Sequence, residues 1–442
     1  MTRVLIRGGL VIDPSQDLEA VADVRIVDGR VAELGRDLEP GDAEVIDARG
    51  LWVVPGLVDG HVHLRVPGES HKETLASGGA AAAAGGFTTV VCMPNTRPPL
   101  DDAIRVEWLR FKAADESPVR VEVAAALSRG LGGEELTSLA DLRAAGAVAL
   151  TDDGRPVADA ALMRRALLEA AALDLPVLVH AEEPALSGGA MHEGAAAAEA
   201  GMPGIPAAAE AVMVARDLLL AEETGARLHI LHVSAEPTVA LIRWAKNRGV
   251  RVTAEVTPHH LLLTDEDVAA SGFDASWKMN PPLRGERDRR ALLEALADGT
   301  VDFVATDHAP HHRDDKDVPF PDAAFGVVGL ETAAALLLDA LVPEVLSPRR
   351  FVEVLAYAPA RLFGLEAGSL RPGMPGDVVL VDPEQHWVVD PGAFRSRSRN
   401  TPFAGRQLRG RVVRTLVGGR TVFRLDVAPA NSGPAARIGE PR

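Results

Sequence analysis

One cysteine, Cys92, stands in 442 residues. No disulfide can form within the chain, and zinc sites built on several thiolates are excluded. A reducing compartment follows as the simplest expectation. Cationic excess is also missing. Lys and Arg number 46 against 63 Asp and Glu, giving a net charge of −17 and a pI of about 5.3. Such a surface argues against nucleic acid or an anionic membrane as the main partner. No apolar run reaches the roughly 18 residues needed to span a bilayer. The opening segment MTRVLIRGGLVIDPSQD lacks the basic-then-apolar layout of a secretion signal. A cytoplasmic protein is expected.

What is present is ordinary globular composition, 47% hydrophobic and 25% charged. The length exceeds the roughly 250–300 residues at which one core stops growing, so more than one unit is expected. Residues 1–55 alternate apolar and polar positions and break at Gly, Asp and Pro, which predicts short strands. Between 56 and 366 short β-branched runs alternate with Ala/Leu-rich helical stretches. The runs fall at 57–62, 88–92, 119–124, 147–150, 176–179, 228–231, 251–256 and 301–305. Eight strand-then-helix units predict an α/β fold of the (β/α)8 barrel type, with a doubly wound open sheet as the competing arrangement. Residues 367–428 return to strand patterning and are expected to join the N-terminal segment in a small β-sandwich domain. Residues 429–442 read as a disordered tail. Residues 181–206, rich in Ala, Gly and Pro, read as a mobile loop near the fifth strand.

In a barrel, chemistry collects at the C-terminal strand ends. Strand one ends in His61, His63 and Arg65, and strand two leads into Asn95. Strand four ends in Asp152 and Asp153, strand five in His180 and strand six in His232. Strand eight ends in Asp307, with His308 and His311 beyond. Each alone has a bland reading: a lone strand-end His is usually a hydrogen-bonded core residue, and Asp after a strand is usually a turn or cap. Four His and two Asp on one rim are instead a nitrogen and oxygen shell suited to two divalent ions. His61 and His63, at i and i+2, share a strand face and reach one ion together. His229, three residues before His232, is assigned to packing on the opposite face. His259 and His260 are expected to support the ligands rather than join them.

The segments HVHLRVPG, MPNT, DDG, TPHHL, KMNPPLR, ATDHAPH and FGVVGLET, in this order, resemble the dihydroorotases of the amidohydrolase superfamily. The resemblance covers about residues 50–365. It implies a cytoplasmic zinc enzyme of pyrimidine biosynthesis that interconverts dihydroorotate and N-carbamoyl-aspartate. It also implies two Zn2+ per chain, bridged by Asp153 and a hydroxide. His61, His63 and Asp307 would bind the first ion, and His180 and His232 the second. Arg65 and Asn95 would hold the substrate carboxylate, with His311 helping, and His63 would also touch the substrate. Asn280 and the backbone of Phe325 and Gly326 would contact the ring. Asp307 would shuttle the proton. Val66 replaces the Glu usual after the Arg of the first motif, Gly60 replaces a bulkier residue, and HVSAEPTV departs from the usual Ser/Thr-rich stretch. Some relatives bridge their metals through a carboxylated lysine, but VALTDDGRPV contains none. Arg65 suits a carboxylate, which hydantoin and allantoin lack. Those two substrate classes, and a non-catalytic subunit supporting aspartate carbamoyltransferase, are the rival readings. Homo-oligomers and an association with that carbamoyltransferase are the partners the resemblance implies beside the small-molecule substrate.

Overall fold

The computed structural model describes residues 3–425. The stretch expected to be a disordered tail lies outside the described residues.

Eight parallel strands form the barrel: β1 (Leu57–Val62), β2 (Phe87–Cys92), β3 (Arg120–Ala126), β4 (Ala149–Thr151), β5 (Val177–Val179), β6 (Leu228–Ile230), β7 (Val252–Val256) and β8 (Phe303–Val304). They pair in chain order from β1 to β8. A parallel bridge between Val62 and His308 closes the ring, with the His63 amide donating to the His308 carbonyl at 2.9 Å. Every residue of β1 and β2 is buried, as strands covered on both faces must be. The eight strands coincide with the eight apolar runs to within a few residues.

The helices begin where their caps predict. Thr74 and Ser77 form a capping box ahead of α1 (Leu75–Ala84). Asp102 caps α2 (Ala103–Glu116), and Asp159 caps Ala160–Ala172 through two backbone amides. These caps set where each chain segment leaves the rim and turns back down the barrel wall.

Strands from both chain ends join one eight-stranded sheet. Its N-terminal members include Arg3–Asp13, Leu18–Val27 and Trp52–Pro55, and its C-terminal members are Val378–Val388, Gln407–Val417 and Arg420–Arg424. Val378–Val381 pairs antiparallel with Trp52–Pro55, stitching the two ends together. One apolar cluster, including Val4, Ile26, Val53, Val378 and Leu416, draws on both ends. Burying either end alone would leave half of that cluster in water.

Residues 181–206 are more ordered than their composition suggested. They hold a helix, Ala195–Ala200, and a two-stranded parallel ladder pairing Met191–His192 with Gly204–Ile205. Met191 and Ala197 pack against Leu263, Val268 and Leu283. The Arg284 guanidinium donates to the Ile205 carbonyl at 2.7 Å. The partners come from the excursion after β7, over sixty residues away, so local periodicity carried no sign of them.

Candidate functional site

Six side chains from five strand ends converge at the barrel rim. His61 lies in β1 and His63 just beyond it, Asp153 follows β4, and His180 follows β5. His232 and Asp307 follow β6 and β8. All six are buried. His63 Nε2 stands 2.9 Å from Asp307 Oδ1, and His61 Nε2 stands 3.4 Å from the same oxygen. Asp153 occupies the centre. Its carboxylate lies 3.5 Å from His61 Nε2, 3.6 Å from His63 Nε2, and 3.8 Å from both His180 Nδ1 and His232 Nε2. His180 Nδ1 and His232 Nε2 face each other at 3.0 Å.

These separations suit metal ligation. A tetrahedral ion with bonds of about 2.0–2.1 Å sets its ligand atoms about 3.3 Å apart. Among the described residues, two triads are tight enough to hold an ion, His61–His63–Asp307 and His61–Asp153–His232. His61 Nε2 is buried with no hydrogen-bond partner and is aimed into this space. A buried imidazole nitrogen left so is costly in an apolar core and natural in a ligand.

The backbone is strained where these residues sit. Arg65, His232 and Asp307 have φ of 59°, 31° and 46°, conformations uncommon outside glycine. The turn at His232 also explains why His229 does not lie on an opposite face. Strand alternation ends at Ile230. His229 turns inward, stacks on Phe303 at 5.0 Å between centroids, and shares Glu255 with His61. It packs, as expected, but it also belongs to the hydrogen-bond network under the site.

Glu255, on β7, was not legible as a functional residue. It is fully buried, accepts from His61 Nδ1 at 2.8 Å and from His229 Nε2 at 3.2 Å, and so fixes His61 with Nε2 free. Burial would push its carboxyl up, but His229 and His61 outweigh that and hold it at about 2. Glu182 was missed as well. Its Oε2 lies 3.3 Å from His180 Nε2 and accepts from the Asn280 amide at 3.1 Å. Its place two residues after His180 was the only available signal.

Burial also opposes charge on His61, yet Asp307 and Asp153 outweigh it and raise its pKa. The two aspartates are lowered in turn, burial again being overcome, chiefly by His61. Protons here stand where cations would, and ligation would displace them.

A cavity of about 230 Å3 opens above the cluster. Arg65, Asn95, Asn280, His311, Phe325 and Gly326 line it together with His63, Asp153, His180, His232 and Asp307. Arg65 donates from Nε to the Pro310 carbonyl at 3.1 Å. His311 Nε2 donates to the Phe325 carbonyl at 2.8 Å and lies 3.4 Å from an Arg65 terminal nitrogen. Burial, then Arg65 and Lys316, push His311 down to about 3, so it is neutral. Asn95 is braced at both ends: His63 Nδ1 donates to its Oδ1 at 2.9 Å, and its amide donates to Asp153 Oδ2 at 3.1 Å. Gly326 has φ of 137°, and a Cβ there would stand 2.7 Å from Ala309 Cβ and 3.0 Å from His311 Nε2. His260 Nε2 donates to the Pro281 carbonyl at 2.9 Å and so steadies the loop carrying Asn280. Val66, in place of the usual Glu, is buried among apolar side chains.

The family model described as Dihydro-orotase-like matches residues 50–237. A dihydroorotase of Anaeromyxobacter dehalogenans (strain 2CP-1 / ATCC BAA-258) is 54% identical over 96% of this chain and 99% of its own length. A dihydroorotase of Pelotomaculum thermopropionicum is 51% identical over 95% of this chain and 98% of its own. Among solved structures, L-hydantoinase (dihydropyrimidinase) from Arthrobacter aurescens superposes with a TM-score of 0.87 at 29% identity, covering 96% of both chains. D-Hydantoinase from Thermus sp. follows at 0.84 and 28%, covering 95% of each. No helix among the described residues is long and apolar enough to cross a membrane. With near-full-length identity above 50% to named members and a rim of His and Asp side chains spaced as metal ligands would be, the chain belongs to the dihydroorotase family of metal-dependent cyclic amide hydrolases.

Proposed function

We propose that this chain catalyses the reversible hydrolysis of (S)-dihydroorotate to N-carbamoyl-L-aspartate, as a dihydroorotase of pyrimidine biosynthesis. One observation carries the reading: a single cavity has Arg65 and His311 on its wall together with the buried His/Asp cluster. A substrate bearing both a carboxylate and a cyclic amide fits that pairing of a guanidinium with metal ligands.

His61, His63 and Asp307 would hold one Zn2+ and His180 with His232 a second, with Asp153 between them. The nitrogen and oxygen donor set favours zinc over harder cations. Bound metal would acidify the attacking water and polarise the scissile carbonyl. The chain's own residues do the rest. Arg65 grips the substrate carboxylate with its planar fork. Neutral His311 donates no net charge and shapes that end of the site. Asn95 joins Arg65 at the carboxylate, and Asn280 and the backbone of Phe325 and Gly326 orient the ring, so that the amide faces the cluster. Asp307 takes a proton from the attacking water and hands it to the leaving ring nitrogen; ring closure reverses both transfers.

The likeness to hydantoinases favours a second reading, in which the ring is a hydantoin. Arg65 would then have no carboxylate to hold, and the β4 region carries no lysine to bridge metals. The test is elemental analysis and turnover of the zinc-loaded protein on dihydroorotate, hydantoin, dihydrouracil and allantoin. About two zinc per chain and a preference for dihydroorotate support the proposal. Hydantoin turning over faster refutes it. Homo-oligomer formation and binding of aspartate carbamoyltransferase are read by light scattering of the chain alone and mixed with that enzyme.

A further inference from the structure

Residues 395–400, RSRSRN preceded in the fold by a short turn at Pro391–Ala393, lie beyond the barrel in sequence yet run along its rim. Their exposure alternates. Arg395, Arg397 and Arg399 face outward, while Ser396, Ser398 and Asn400 are buried. Each inward side chain is engaged. Ser396 Oγ donates to Glu73 Oε2 at 2.5 Å, and Glu73 in turn lies 3.3 Å from His308 Nε2. Ser398 Oγ lies 2.8 Å from the His311 carbonyl and 3.0 Å from that of Lys72. Asn400 uses its whole amide. Nδ2 donates to the Ala309 and Gly326 carbonyls, each at 3.0 Å, and Oδ1 accepts from the His311 amide at 3.3 Å.

Ala309, His311 and Gly326 all line the catalytic cavity, and Asn400 does not. Asn400 thus ties together three wall residues without touching the space they enclose. Gly326 is already at close approach to His311, so a small drift of either changes the gap between His311 and the Phe325 carbonyl. An asparagine with both N–H groups and its oxygen satisfied is a rigid three-point spacer.

We propose that Asn400 is a positioning residue for substrate capture: a segment from the C-terminal β region sets the carboxylate end of a site that the barrel otherwise builds. The inference rests on the dihydroorotate reading. Asn400 acts through His311 and Gly326 and leaves the His/Asp cluster alone. Losing it should therefore weaken capture and spare the chemical step.

The experiment compares Asn400→Ala and Asn400→Asp with the parent, all zinc-loaded, on dihydroorotate. The expected result is a KM raised about tenfold, part of the cost of the lost side-chain hydrogen bonds being absorbed by local relaxation, with kcat within about threefold and zinc content unchanged. Calorimetry of N-carbamoyl-aspartate binding to the Asp307→Asn protein, with and without Asn400→Ala, should show the same fall in affinity. An unchanged KM, or a kcat that falls while KM stays, overturns the inference, because that is how a merely structural residue behaves. If Asn400→Ala does not fold, Ser398→Ala carries the test, with a smaller rise in KM expected and an unchanged KM overturning it. A parent protein inactive on dihydroorotate would instead defeat the functional reading.

Discussion

Replacing Glu255 by Gln should weaken binding of one metal ion by about 10- to 100-fold, though Glu255 belongs to neither of the proposed ligand sets. The substitution keeps shape and volume, so no cavity forms in the fully buried pocket. What changes is hydrogen bonding. The carboxylate accepts from two imidazoles, His61 at 2.8 Å and His229 at 3.2 Å. An amide can accept from only one, and its NH2 then meets the other ring's N–H. If His61 keeps the oxygen, it loses a charge-assisted bond in favour of a neutral one, about 1 kcal/mol. If it loses the oxygen, a buried donor goes unsatisfied at a cost of about 1–3 kcal/mol, or the ring turns and Nε2 leaves the site. The two routes span about 1–3 kcal/mol, which brackets the roughly 1.4–2.7 kcal/mol of a 10- to 100-fold loss. The carboxyl is held at about 2, so it is ionised throughout the neutral range. Titration of metal-free protein with zinc against a competing chelator measures it, with circular dichroism confirming the fold. His229→Phe is the internal control. It keeps the stack on Phe303 and leaves Glu255 to His61 alone, so its loss should be less than about tenfold. Wild-type zinc affinity in Glu255→Gln, within about threefold, would refute the idea that this carboxylate sets His61.

Asp307→Asn should retain part of the metal and lose turnover, since an amide cannot take the proton; near-normal activity removes Asp307 from that role. Arg65→Lys should chiefly raise KM, because a point charge cannot replace the planar fork, and an unchanged KM in steady-state kinetics counts against it. Asp153→Ala removes the carboxylate shared by four imidazoles and should lower zinc occupancy by elemental analysis; two full equivalents retained would place the bridge elsewhere. Asp307 is held well below the ordinary carboxylate range, burial being overcome by His61 and His63. Its protonated form is therefore scarce at neutral pH, so ring closure, which needs that form, should gain with falling pH, while ring opening, which needs the ionised form, should not respond to this group there; ring closure that gains with rising pH would exclude it as the shuttle.

The parts of the site visible in the sequence were those carried by strand ends. A β-branched run followed by His or Asp states both the element and the chemistry at its tip, and His61, His63, Asp153, His180, His232 and Asp307 all announce themselves so. Residues that act from inside an element announce nothing. Glu255 sits within Val252–Val256 and reads as one polar residue of a strand. Its partners His61 and His229 become neighbours only when the barrel closes. The face of His229 is hidden for a related reason: strand alternation stops at Ile230, and the chain leaves strand geometry and turns with positive φ at His232.

The same division separates the barrel's chemistry from its calibration. Ligand identity is local, since a histidine is a histidine wherever the strand puts it. Ligand orientation is not. His61 depends on Glu255 from β7, His63 on Asn95 after β2, His180 on Glu182, and His311 on Asn400 from beyond the barrel. Each supporting contact but one crosses to a different strand or a different part of the chain. A scaffold of this kind lets the ligand set stay fixed while the supports vary. Substitutions among the supports should therefore tune metal affinity and substrate capture separately: Glu255 moves the first and Asn400 the second, through hydrogen bonds that share no atom.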